Sequence, residues 1–128
     1  MNIYIVGNPL VKEDKGPHVL IPELVRFFPE YSVEEIDPNE DFIPGDGSVI
    51  IDTVEGITNP QWFDSIDSFI QTKSVSAHDY DLGFHLLFLR KLHKLNTVKI
   101  LGVPKGDMTD ARVGEIISLL HTIPATIT

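Results

Sequence analysis

Apolar and polar positions divide the chain into strand-like runs separated by stretches of helical spacing. Asn2 to Val6 is a short apolar run closed by Gly7, Asn8 and Pro9, the mark of a strand with a firm stop. Its apolar continuity suits a strand covered on both faces, as in a parallel sheet. From Pro17 to Phe28, Val19, Leu20, Leu24, Val25, Phe27 and Phe28 fall near helical spacing. Pro22 either starts this helix near Ile21 or kinks one begun at Pro17. Tyr31 to Ile36 predicts a second strand, and Asp37 to Gly47 a loop. Ser48 to Asp52 is the strongest strand and ends on an acid. Ile66 to Ile70 alternates and predicts a short edge strand. Asp79 to Leu95 is the clearest helix: Leu82, Leu86, Leu89 and Leu92 form a stripe that Phe84, Leu87, Phe88 and Leu95 widen. Asp79 and Asp81 lie at its positive end, and Lys91, His93 and Lys94 at its negative end, as the helix dipole prefers. Thr97 to Val103 is a further strand. Asp110 to Thr122 closes the series as a helix with Val113, Ile116, Ile117 and Leu120 on one side.

Strands alternating with helices predict an α/β fold, a three-layer domain with a mainly parallel, twisted sheet flanked by helices. The 128 residues show neither repeat nor linker and are read as a single domain, 1–128. Right-handed crossovers place the carboxyl ends of the strands on one edge, where open α/β sheets bind their ligands.

Composition narrows the chemistry. There is no Cys, which removes disulfides, thiol nucleophiles and zinc-thiolate sites. Ten Lys and Arg against nineteen Asp and Glu give a net charge of −9, so duplex nucleic acid is not an expected partner. No Lys or Arg occurs from Phe27 to Thr72, and an acidic face of that kind favours cations or basic peptides. Apolar runs fall far short of the ~20 residues of a membrane span, and no basic segment precedes the first strand. The expectation is a cytoplasmic protein without a membrane partner.

Three segments end at the carboxyl edge, and each brings an ionisable group: Glu13 or Asp14 after the first strand, Asp52 after the third, and His78 before the long helix. Taken singly, Asp52 reads as a turn residue and His78 as a cap or surface residue. Together, two carboxylates and an imidazole suit a borderline divalent cation such as zinc or nickel. His18, His85, His93 and His121 lack that company and are read as structural or solvent-facing. Gly7 to Gly16 lacks both the P-loop ending and the dinucleotide fingerprint, and no nucleophile elbow surrounds Ser74 and Ser76. Trp62, after Asp52, is either a binding anchor or a plug at the core edge.

Four pieces, in order, carry a resemblance. They are Ile5-Val-Gly-Asn-Pro-Leu10 with Glu13-Asp14, then Val49-Ile-Ile-Asp52, then Ser76-Ala-His-Asp-Tyr-Asp-Leu82, then Thr97-Val-Lys-Ile-Leu-Gly-Val-Pro104. Together they resemble the hydrogenase maturation endopeptidases, which trim the C-terminus of the large subunit of nickel–iron hydrogenases. The resemblance implies that Asp14, Asp52 and His78 form the catalytic and metal-contacting set. It implies that the nickel is supplied by the substrate, with another divalent metal as the alternative, and that the partner is a large-subunit precursor. The family's acid-acid-Gly-x-Gly is here Glu13-Asp14-Lys15-Gly16-Pro17, and the Lys15 ammonium would oppose a cation. That departure supports a second reading, a catalytically inactive metal-sensing or precursor-binding module of the same fold. A third, a receiver-like domain with a magnesium site, would use Asp52 and Lys105 but is at odds with Gly7-Asn8.

Overall fold

Buried β-branched side chains build the sheet. The computed structural model describes residues 2–6, 20–36, 43–54, 56–73, 82–105 and 108–123. Its strands are β1 (Asn2–Val6), β2 (Ser32–Ile36), β3 (Ser48–Val54), β4 (Gln61–Phe63) and β5 (Val98–Pro104). Its helices are α1 (Ile21–Phe27), α2 (Ile66–Lys73), α3 (Leu82–Lys91) and α4 (Asp110–His121). Among the described residues the sheet has five strands in the order β2-β1-β3-β5-β4. All neighbours are parallel except β4, which lies antiparallel on β5. The α/β expectation with a mainly parallel sheet therefore holds.

Period-two alternation splits the strands between two cores. Tyr4, Val6, Ile50, Val54, Val98 and Ile100 face one side, where Ile66 and Phe69 of α2 and Leu82 and Leu86 of α3 cover them. Ile3, Ile5, Val49, Ile51, Leu101 and Val103 face the other, under Leu24 of α1 and Ile116 and Leu120 of α4. The result is three layers, helices on both faces of one sheet. β5 is buried along its whole length, whereas β2, an edge strand, exposes Glu34 and Glu35. Charges on an edge strand discourage pairing with another chain.

Three expectations need correction. Ile66 to Ile70 is helix, the start of α2, because Ile66, Phe69 and Ile70 recur at i, i+3 and i+4 and the Ser65 hydroxyl accepts the Ser68 N–H at 2.9 Å. The edge strand is instead Gln61–Phe63. β3 does not end at Asp52; β-branched Thr53 and then Val54 continue it, in register with Val103 and Pro104. Leu92, Phe84 and Phe88 do not join the buried stripe of α3; all three are exposed. Pro22 does sit in the first turn of a helix beginning at Ile21, where its missing N–H costs nothing.

The amino edge of the sheet is clasped by hydrogen bonds. The Thr97 N–H donates to Asp46 Oδ1 at 3.3 Å, and the Thr97 hydroxyl donates to the same oxygen. Gly47 N–H donates to the Thr97 carbonyl at 2.8 Å, and Lys99 Nζ to the Gly47 carbonyl at 3.2 Å. Asn96 Nδ2 reaches the Pro44 carbonyl at 2.8 Å. Gly47 takes a φ of 74°, a turn conformation in which a Cβ would be strained. The turn before β3 is thus tied to the turn before β5.

Candidate functional site

Strand order dictates where a site can form. β1 leads through α1 to β2 on one side, while β3 leads towards β4 and β5 on the other. The order reverses between β1 and β3, and a crevice opens beyond the carboxyl ends of two strands at such a point. β1 ends there at Val6 and β3 at Val54.

Asp52 is the described acid at this point. It lies two residues before the end of β3, on the face it shares with Ile50 and Val54, and is only 4% exposed. Beside it on β5 is Gly102, its partner in register. A Cβ on Gly102 would collide with Phe63 Cε2 and stand 3.1 Å from Val54 Cγ2, so the ring of Phe63 fills the place of a side chain there. A carboxylate on this apolar face loses its hydration, a cost that hydrogen-bonding or charged partners offset.

α3 approaches the same edge. Its last turn leads through residues 92–97 into the amino end of β5, so it runs against the strands and its first turn lies at their carboxyl ends. His85, in that first turn, is 5% exposed, between buried Leu82 and buried Leu89. It is a buried imidazole, the structural one of the two alternatives that the sequence offers for it. Its spacing of three and four from those leucines put it on the inner stripe, and that was the available signal. His93 and His121 are exposed, as expected; the His121 ring packs against Phe28 with centroids 5.0 Å apart.

Thr53 points away from Asp52, into the opposite layer. Its Oγ1 is buried, with no hydrogen-bond partner among the described residues. Trp62 is half-buried on β4 against the α4 layer, and its Nε1 donates to the Leu119 carbonyl at 3.3 Å. It plugs the core edge.

Asp14 and His78, the other two members of the expected set, lie outside the described residues, as does Glu13. Among the described residues, no three His, Asp or Glu side chains are placed to hold a metal ion. One acid there is electrostatically perturbed: hydrogen bonds from the Thr97 hydroxyl and N–H hold the Asp46 carboxyl below its ordinary value, with help from Lys99. It belongs to the clasp at the opposite edge, and its role is structural.

Neither a family model nor a curated protein matches the chain. A solved structure does, the crystal structure of an uncharacterized protein from Wolinella succinogenes. It is 14% identical, with a TM-score of 0.52 over 94% of this chain and 91% of that one. The likeness is one of fold. No helix among the described residues is long and apolar enough to cross a membrane.

Proposed function

We propose that the protein is an endopeptidase of the hydrogenase-maturation type, which removes the C-terminal extension of a nickel-loaded large-subunit precursor in the cytoplasm. The observation that carries the reading is Asp52, a buried carboxylate beside the point where the strand order reverses. The ordered resemblance supports it: the segment after β1 contains Asp14, and the segment before α3 contains His78.

Here the nickel is part of the substrate. Carboxylate and imidazole are suitable donors for it, and a set of three protein ligands leaves positions for the precursor's own groups. Cleavage adds water across one peptide bond: the hydroxyl goes to the carbonyl carbon and a proton to the departing amine. Asp14, Asp52 and His78 would read the nickel. The water is then activated either by a carboxylate beside the metal or by another base.

The test is the intact mass of a nickel-loaded precursor before and after incubation with the protein. We expect loss of a short C-terminal peptide, abolished by Asp52→Asn and by His78→Ala in variants that still fold. Full activity in either variant overturns the site assignment. An unchanged precursor, with nickel loading verified, overturns the endopeptidase reading. Lys15 and Pro17, where the family has glycines, favour one alternative: a binding module that captures the precursor without cutting it. Capture of an uncut precursor would establish that alternative.

A further inference from the structure

α3 is apolar on two sides. Leu82, Leu86 and Leu89 are buried against the sheet, yet Phe84, Phe88 and Leu92 are 51%, 56% and 46% exposed. Their spacing of four aligns them in one outward stripe. Single exposed apolar residues are ordinary, but an aligned row is not. The charge around it is also unusual for this molecule. From Leu82 to Lys94 there is no Asp or Glu, while Arg90, Lys91 and Lys94 gather at the C-terminal end of the helix. Lys91 and Lys94 are exposed at the end of the stripe. Arg90 is drawn to Asp67 of α2, at 3.3 Å.

We propose that the outward face of α3 docks a short segment of a partner protein in which apolar side chains are flanked by acids. Lys91 and Lys94 fix the sign of the partner's charge, and the Phe84–Phe88–Leu92 row fixes its apolar spacing. A segment also fits the size: three half-exposed side chains offer on the order of 300 Å², whereas a stable dimer needs roughly 800 Å² from each partner. An anionic membrane fits less well than a segment, because the net charge of −9 opposes it and the inner leucines of α3 are locked in the core. This inference stands apart from the endopeptidase reading and needs none of its residues.

The test uses the full chain and a fluorescein-labelled helical peptide with Leu on one face and Glu on the other. The comparison probes are the same peptide with Lys for every Glu, and phosphatidylglycerol vesicles. We expect the Glu peptide to bind, with amide shifts confined to α3, and Phe88→Ser to weaken binding about tenfold. The double variant Lys91→Glu/Lys94→Glu should reverse the preference towards the Lys peptide. No binding of the Glu peptide overturns the proposal, as does equal binding of both peptides by the unaltered protein. Preferential binding to vesicles, or a concentration-dependent dimer abolished by Phe88→Ser, also overturns it.

Discussion

Asp52 and Gly102 pair across β3 and β5, and the ring of Phe63 occupies the space that a side chain at position 102 would need. A glycine is required here for room alone, since only the absence of a Cβ lets β4 fold its aromatic residue over β5. Gly102→Ala should therefore cost about 1–3 kcal/mol, as overpacking does. Urea denaturation of Gly102→Ala, Phe63→Leu and the double variant would measure it. The double variant should be more stable than the sum of the singles predicts, because Leu vacates the contact.

Thr53→Val should stabilise the protein. The hydroxyl is buried without a partner among the described residues, and leaving such a group unsatisfied costs about 1–3 kcal/mol. Valine has nearly the same shape. A higher urea midpoint with an unchanged slope is the expected result; a lower midpoint would mean that the hydroxyl is satisfied in solution.

α3 is closed off by His93, two residues past its last turn, in the left-handed conformation at a φ of 58°. His93 N–H donates to the Arg90 carbonyl at 3.1 Å, and Lys94 N–H to the Leu89 carbonyl at 2.9 Å. This is the Schellman pattern, which normally places glycine where His93 stands. His93→Gly should raise stability by roughly 1 kcal/mol, the cost of left-handed backbone in a residue with a Cβ. Thermal or urea unfolding would show it, and His93→Ala should give no such gain.

Asp46 makes stability depend on pH. Its folded-state value lies below the ordinary 3.8, so the carboxylate stabilises the fold above that value. The contribution is lost as the pH falls through the lower, folded-state value. Asp46→Asn should therefore be less stable than the unaltered protein at neutral pH, with the gap closing below 3.8. Parallel urea titrations across that range would test the sign. A gap that widens on acidification would refute it.

How much of this was legible beforehand differs from residue to residue. β1, β3 and β5 could be read because strands buried on both faces are written as unbroken apolar runs. Asp52 misled the reading of its own strand: an acid resembles a stop, but here the strand carries it inside. Five residues from Ile66 were too short a window to separate a period of two from one of 3.6, although Ser65 already held the N-cap signal. On α3 the leucines announced the buried face, and the offset of two residues, about 200° around the helix, already set Phe84 and Phe88 on the other side; their apolar character hid it. Of the expected site, Asp52 was found at the carboxyl edge, while Asp14 and His78 lie outside the described residues. His85 was open between a structural and a solvent-facing place, and its burial settles that for the former.

The seating of Trp62 gives the protein its own optical probe. The chain has one tryptophan, and its indole bridges β4 at the sheet edge and the end of α4. Its emission should shift to the red when α4 leaves the sheet, however intact the α2–α3 layer remains. A second probe placed in that layer would show whether the two halves of this sandwich melt together.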